Sequence, residues 1–219
     1  MIINTIVVPQ GAEYQAVCRG LQQAKVKNIQ VIPIAIGTRN VEQTLANCSS
    51  LIDRQVLITG LCGSLCRQHA VGDGVVVPSC YNLNHDRLAL ESELTRMIQD
   101  KLSVDAVDCL TSDRLIFQAE SKLKLAQKYP VSVVDMEGYS YILKLRHQGI
   151  PVAMLRVVSD DLSGDLPDLS RAIDDGGKLQ AVPMAIAFIQ QPITAIRLIQ
   201  GSLSALKVLQ QMIAKLYSS

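Results

Sequence analysis

The sequence predicts an α/β fold, a three-layer α/β/α sandwich formed by a single domain over residues 1–219. Apolar runs of strand length, rich in valine and isoleucine, recur along the chain, and their nearly continuous hydrophobicity is typical of strands covered on both faces. Stretches with helical spacing separate several of these runs, as expected when strands and helices alternate. No repeat or low-complexity linker divides the chain, and 219 residues suffice for one sizeable core.

Individual elements follow from these patterns. Seven segments are predicted as strands: Ile2–Val8, Val31–Ile36, Val56–Thr59, Gly74–Val77, Ala106–Leu110, Val131–Val134 and Val152–Val158. Three segments with helical spacing are predicted as helices: Glu13–Lys27, Leu88–Leu102 and Glu120–Tyr129. Residues 160–177, rich in Asp, Gly, Ser and Pro, are expected to form a surface loop.

The tail carries no formal charge between Leu179 and Ile196. Such a stretch approaches the lower length limit for a membrane-spanning helix. Pro183 and Pro192 interrupt it, and Arg197 follows in the same helical pattern, so we expect no transmembrane span. A packed pair of helices is the prediction, with an exposed apolar or lipid-contacting surface as the alternative.

Charge and cysteine usage exclude several functional classes. The formal net charge is +1, whereas binding a phosphate backbone requires a basic surface, so nucleic acid is not an expected partner. The chain start has no basic, apolar leader, and a cytoplasmic location is expected. The six cysteines lack metal-ligand spacing and are expected to be reduced thiols, with no metal site and no cofactor.

Polar residues follow several predicted strands directly, at the edge where ligands bind in open α/β sheets. The turn Thr59–Ser64 is built from small residues, so a ligand could approach its backbone, although a tight strand-to-helix turn has the same composition. Asp135 and Glu137 end a buried strand, where a carboxylate could accept hydrogen bonds from a ribose diol or Asp135 could cap a helix. Asp160 ends the strand Val152–Val158 in the same way, whereas Asp161 is expected to be a solvated loop charge.

These segments, in this order, resemble the purine nucleoside phosphorylase and nucleosidase superfamily, which includes the methylthioadenosine/adenosylhomocysteine nucleosidases. The strongest likeness lies in Asp135-Met136-Glu137 and, nineteen positions after Glu137, in Arg156 followed by Val-Val-Ser-Asp160. The glycine turn after Thr59 and the segment Val71–Val76 support it. The resemblance implies the phosphorylase/hydrolase-like sandwich with a twisted mixed central sheet, a purine nucleoside as substrate, and a homo-oligomer.

The resemblance also implies roles for the two strongest motifs. Glu137 resembles the residue that binds the ribose 2′- and 3′-hydroxyls, and Met136 the one that packs against the sugar. Asp160 resembles the acid that protonates purine N7, and Ser159 and Arg156 are expected to line the same pocket. Because negative charge develops on the departing purine, an acid placed there acts mainly in the transition state. To hold a proton near neutral pH, Asp160 needs a pocket shielded from water.

Further roles are implied elsewhere in the chain. Glu13 lies where nucleosidases keep the carboxylate that orients the attacking water. Leu115 and Ile116 fall where the base is sandwiched. Gly60 and Cys62 correspond to the substrate-binding glycine turn.

Departures from the pattern bear on the nucleophile. The first loop, Val8–Ala12, lacks the arginine by which phosphorylases of this superfamily bind phosphate, and Leu61 stands where nucleosidases carry Ser. Hydrolysis releasing adenine is therefore favoured over phosphorolysis, in which Arg39 or Arg67 would supply the cation for phosphate. A nucleoside-binding protein without turnover is the third reading.

The tail adds a weaker resemblance. The segment Leu162–Pro167, the turn Asp174–Gly177 and the apolar helices after it resemble hopanoid-associated phosphorylases, which release adenine from an adenosylated hopanoid. By this likeness, the charge-free tail would border a lipid-like 5′ substituent.

Overall fold

The computed structural model describes residues 3–34, 54–169, 172 and 180–218. Within them, the apolar runs form one ten-stranded mixed sheet, which confirms the predicted fold class. Its strands are β1 (Thr5–Pro9), β2 (Gln30–Ile34), β3 (Val56–Ser64), β4 (Gly74–Val76), β5 (Ser79–Tyr81), β6 (Arg87–Ala89), β7 (Asp105–Ala106), β8 (Cys109–Thr111), β9 (Val133–Asp135) and β10 (Val152–Asp160). They lie in the order β6-β5-β8-β9-β3-β10-β4-β7, and β1 pairs with both β2 and β3.

Helices cover both faces of this sheet. They are α1 (Ala12–Gln23), α2 (Ser92–Leu102), α3 (Ala119–Lys128), α4 (Gly138–His147), α5 (Ala181–Gln190) and α6 (Pro192–Tyr217). On one face α1, α2 and α6 share a core with the strands, and on the other face α4 does. The fully buried strand β10 alternates between the two cores: Leu155 and Val157 face the first, and Met154 and Val158 the second.

One predicted strand is wrong. Residues 106–110 form the ends of two short strands, β7 and β8, because the two halves pair in different parts of the sheet. β7 pairs with β4, whereas β8 pairs with β5 and β9. The intervening Val107 donates its backbone N–H to Val76, and Asp108 accepts one from Ser132. Hydrophobicity alone does not reveal such a change of partner.

The predicted helix Leu88–Leu102 begins later, at Ser92, because its first residues belong to β6. β6 pairs with β5 in an antiparallel hairpin that the sequence analysis missed. The Asn82 side-chain oxygen accepts hydrogen bonds from the backbone N–H groups of Asn84 and Asp86, both at 2.9 Å. An asparagine at the start of a turn is the signal that would have revealed this hairpin.

The tail forms the predicted pair of helices, α5 and α6, which meet at a bend of 120°. Met184 and Phe188 pack against Leu169. No single helix within the described ranges is long and apolar enough to cross a membrane, although this bent pair meets the length and composition test when both helices are counted together. The pair also carries an exposed apolar surface, formed by Val182, Ile186, Ile189, Ile193, Ile196, Ile199 and Leu203.

Candidate active site

One pocket collects most of the residues that the sequence singles out. Its predicted members are Glu13, Cys62, Leu115, Ile116, Met136, Glu137, Ser159 and Asp160. Pro9, Leu61, Gly63, Arg114, Val134 and Asp135 complete the lining. The strands β1, β3 and β10 run parallel and end here, while β9 runs antiparallel to β3 and reaches the pocket from the opposite side. The long strand β3 therefore has a parallel neighbour, β10, and an antiparallel neighbour, β9, and it carries pocket residues between them.

Arg156 does not line this pocket, and the prediction for its position is corrected. Its side chain is fully buried, on the face of β10 that it shares with Met154 and Val158. There its Nη2 donates to Asp135 Oδ2 and lies 3.3 Å from Glu137 Oε1. Burial by itself lowers the pKa of Arg156, but the carboxylates of Asp135 and Glu137 outweigh burial and raise it. Arg156 is thus a permanent cation beneath the pocket that holds two carboxylates in place.

Asp135 links this cation to the start of helix α4. Its Oδ2 accepts the backbone N–H of Gly138 at 3.1 Å, and its Oδ1 accepts the Thr111 hydroxyl at 2.6 Å. Asp135 therefore stabilises the first turn of α4, one of the two alternatives left open by the sequence. The same bonds fix the backbone on either side of Glu137.

Gly60 lies behind the pocket and provides space. A Cβ atom at this position would lie 2.6 Å from Arg156 Nη1 and 2.7 Å from Glu13 Oε1. A larger residue at position 60 would push the Arg156 guanidinium away from the Glu13 carboxyl group. The structure gives Gly60 a packing role and does not place it in the pocket lining.

Glu13 lies in the first turn of α1, close to Leu61. The predicted turn Thr59–Ser64 is wrong, because these residues continue strand β3 to Ser64, where they pair with β10 and β9. Glu13 Oε1 accepts the backbone N–H of Leu61 at 2.7 Å. Burial raises the pKa of Glu13, and the Leu61 hydrogen bond and the Arg156 charge oppose that rise. A raised pKa makes the Glu13 carboxylate at the pocket wall a stronger base than an ordinary glutamate, as a general base requires.

Ser159 and Asp160 stand at an irregularity of β10. Val158 pairs with Cys62 of β3 and Asp160 with Gly63, so Ser159 has no partner residue in β3. The Ser159 hydroxyl lies 3.2 Å from the Cys62 carbonyl oxygen and 3.0 Å from Asp160 Oδ1. This bulge brings two consecutive polar side chains to the pocket.

Cys62 is present in the pocket as a neutral thiol. Burial is the main cause that raises its pKa far above the usual range. A thiolate is the reactive form of cysteine, so the chemistry of this pocket rests on its carboxyl groups.

A family model described as the phosphorylase superfamily matches residues 16–183. The chain belongs to the phosphorylase superfamily. The matched range includes the pocket segments on β3, β9 and β10 and leaves out Pro9 and Glu13. No curated protein sequence matches the chain.

Solved structures of this superfamily share the fold. The 5′-methylthioadenosine/S-adenosylhomocysteine nucleosidase from Neisseria meningitidis, in complex with methylthio-immucillin-A, superposes with a TM-score of 0.73 at 15% identity, covering 99% of this chain and 98% of that one. A putative nucleosidase of the same type from Francisella philomiragia gives 0.68 at 17% identity, covering 99% and 98%. Futalosine hydrolase from Helicobacter pylori gives 0.65 at 15% identity, covering 95% and 96%.

One polar residue in contact with the pocket residue Asp160, Lys122, is not among the predicted site residues. This fully buried lysine of α3 donates a hydrogen bond from Nζ to Asp160 Oδ2 and another to the Asp161 carbonyl oxygen at 3.1 Å. Its signal was present in the helical spacing: Lys122 precedes Leu125 and Tyr129, which pack inward, by three and seven positions. A lysine in the apolar stripe of a helix is expected to have a buried partner.

The two arginines suggested as phosphate ligands are not among the pocket residues. Arg39 lies outside the described residues, and Arg67 is exposed and absent from the pocket lining. Arg114 lines the pocket instead, in the loop before Leu115. Leu115 packs against the same buried cluster, Leu169, Ala172 and Ala187, as Met184 and Phe188 of α5, so the apolar tail lies close to the pocket lining.

Proposed function

We propose that the chain is a nucleosidase that hydrolyses the N-glycosidic bond of an adenosine-type nucleoside and releases adenine. The observation that carries this proposal is the convergence of Glu13, Glu137 and Asp160 in one pocket. Bond cleavage places positive charge on the ribose and negative charge on the base. Carboxyl groups on either side of the bond act where these charges develop.

Glu137 is suited to bind the ribose. Its side chain is almost fully buried and lies beside the Arg156 cation, so it is held as a carboxylate in a fixed position. A carboxylate has two oxygens that can accept hydrogen bonds from two neighbouring hydroxyls at once. Met136 lies next to it in the pocket lining and supplies an apolar surface for the sugar ring.

Asp160 is placed to protonate the departing base. It lies at the end of β10, on the pocket wall, and Leu115 and Ile116 form apolar surface in the same lining for a flat purine ring. Gly63 permits the close approach of Asp160 to β3, since a Cβ atom there would lie 2.9 Å from Asp160 Oδ2. A positioned acid contributes roughly a hundred- to ten-thousand-fold to the rate.

The position of Glu13 supports water as the nucleophile. Its Oε1 already accepts the hydrogen bond from the Leu61 backbone N–H, so this donor is not free to bind a phosphate ion. A carboxylate there also repels an anion. Phosphorolysis is the second candidate, and Arg114 is the observation in its favour because it brings a cation to the pocket.

The reaction can be tested directly. We expect free adenine from methylthioadenosine or adenosine in phosphate-free buffer, measured by chromatography, with an adenosylhopanoid as a third substrate because the apolar tail borders Leu115. Adenine and ribose 1-phosphate formed only when phosphate is added would establish phosphorolysis instead. Calorimetric binding of adenosine without any product would indicate a nucleoside-binding protein without turnover.

A further inference from the structure

A buried lysine stands behind the acid of the pocket. Lys122 is 1% and Asp160 10% exposed at the side chain, so the ion pair is nearly enclosed and only Asp160 reaches the pocket. Removing an ammonium ion from water costs several kcal/mol unless a partner compensates. Here Asp160 Oδ2 and the Asp161 carbonyl oxygen provide that compensation.

The direction of this hydrogen bond matters for proton transfer. Lys122 is the donor and Asp160 Oδ2 the acceptor, as expected for an ammonium group beside a carboxylate. Ser159 also donates to the other oxygen, Oδ1. A proton that Asp160 passes to a purine must therefore be replaced from a neighbour, and Lys122 is the ammonium in contact with it.

We propose that Lys122 is a positioning residue that supplies, through Asp160, the proton transferred to the departing base. This inference rests on the proposed hydrolysis. When the bond between C1′ and N9 breaks, its electron pair goes to the purine, Lys122 passes a proton to Asp160 Oδ2, and Asp160 passes a proton to N7, so that Asp160 ends as a carboxylate and Lys122 as a neutral amine. Glu13 takes a proton from the attacking water and C1′ gains the hydroxyl; solvent then removes the proton from Glu13 and returns the lysine to its ammonium form.

Other charged groups surround the pair and belong in any account of its pH dependence. Asp161 directly follows β10, and Arg156 lies further back on that strand, paired with Asp135 of β9. The Cys62 thiol of β3 is close enough to interact with both Lys122 and Asp160. The remaining groups lie across the pocket, and they are Glu13, Arg114 and Glu137.

The test compares Lys122→Met with Lys122→Arg and with a matched control. Lys124→Met changes a lysine of the same helix that is 70% exposed and pairs with Glu120. Steady-state kcat/KM for adenine release is measured across pH for all four proteins. Lys122→Met should lose activity at a lower pH than the wild type does, because Asp160 then has no neighbouring ammonium group from which it can regain a proton.

Lys122→Arg preserves the charge and the fold but not the proton supply, since a guanidinium group does not release its proton in proteins. We expect its kcat to fall about a hundredfold with KM unchanged. Full activity of Lys122→Arg, or a Lys122→Met profile with the alkaline limb of the wild type, would overturn the proposal while leaving hydrolysis intact. Absence of adenine release from the wild type in any buffer would overturn the proposed function and this inference with it.

Discussion

Two buried ion pairs among the described residues differ in what lies next to them. Arg156 and Asp135 are 0% and 1% exposed at their side chains, and although Asp135 belongs to the pocket lining, Arg156 lies behind it. Lys122 and Asp160 are nearly as enclosed, yet Asp160 opens onto the pocket. The first pair fixes strands and a helix in place, whereas the second is the one for which we propose proton transfer to a ligand. The cations match these tasks, because arginine keeps its proton and lysine can release it.

The largest effect is expected from breaking the enclosed pair. Arg156→Met leaves Asp135 and Glu137 without the cation that compensates their burial. Losing one partner of a buried pair typically costs about 3–5 kcal/mol. The free energy of unfolding in urea should fall by this amount. The double variant Arg156→Met with Asp135→Asn should recover part of the loss, and an unchanged urea midpoint in the single variant would contradict a structural role for Arg156.

The pocket-facing pair should respond in activity. Asp160→Asn removes the acid while keeping a similar shape, so kcat for adenine release should drop by roughly a hundred- to ten-thousand-fold, about 3–5 kcal/mol in the barrier. Binding of adenine, measured by calorimetry, should persist. Asp161→Asn is the matched control, because Asp161 accepts a hydrogen bond from Ser163 in the following turn. Equal losses in both variants would show that the position of Asp160 has no special role.

The smallest effect concerns Glu13, which has the Arg156 cation nearby but forms no ion pair within the part of the chain that the structure describes. Because burial raises its pKa above the ordinary 4.5, the folded protein binds this proton more tightly than the unfolded chain does. The stability contributed by the proton is fully present below pH 4.5 and is lost as the pH rises through the raised pKa. Glu13→Gln should therefore be about as stable as the wild type at pH 4 and more stable at pH 8.

Urea unfolding of both proteins at the two pH values measures this difference. A wild type that gains stability over Glu13→Gln as the pH rises would show that the Leu61 hydrogen bond and Arg156 outweigh burial. That result would make Glu13 a stabilising carboxylate and a weaker candidate for the base.

The sequence correctly predicts those segments whose secondary structure is determined by their own residues. Long apolar strands such as β3 and β10 were recognised because their hydrophobicity is continuous. Asp160 and Glu137 were found because a carboxyl group directly after a buried strand is unusual. The split between β7 and β8 was missed because it depends on pairing partners far away in the sequence.

The errors at the candidate site likewise arise where the position of a side chain depends on residues far away in the sequence. Arg156 was expected in the pocket, but its placement depends on strand alternation, which puts it on the buried face with Met154. Lys122 was missed because its partner lies 38 positions away. The sequence motif predicts which residues lie close together, whereas the packing of the folded chain determines which of them a ligand can contact.

The bulge in β10 has a consequence for comparing this chain with distant relatives. Asp160 and Asp161 are adjacent and chemically identical, but only Asp160 lies opposite Gly63 and in the pocket. An alignment that omits the unpaired Ser159 moves the proposed acid by one position and assigns that role to Asp161. For the same reason, an engineered insertion or deletion is expected to be tolerated after Asp161, where the chain turns at Ser163, and not between Arg156 and Asp160.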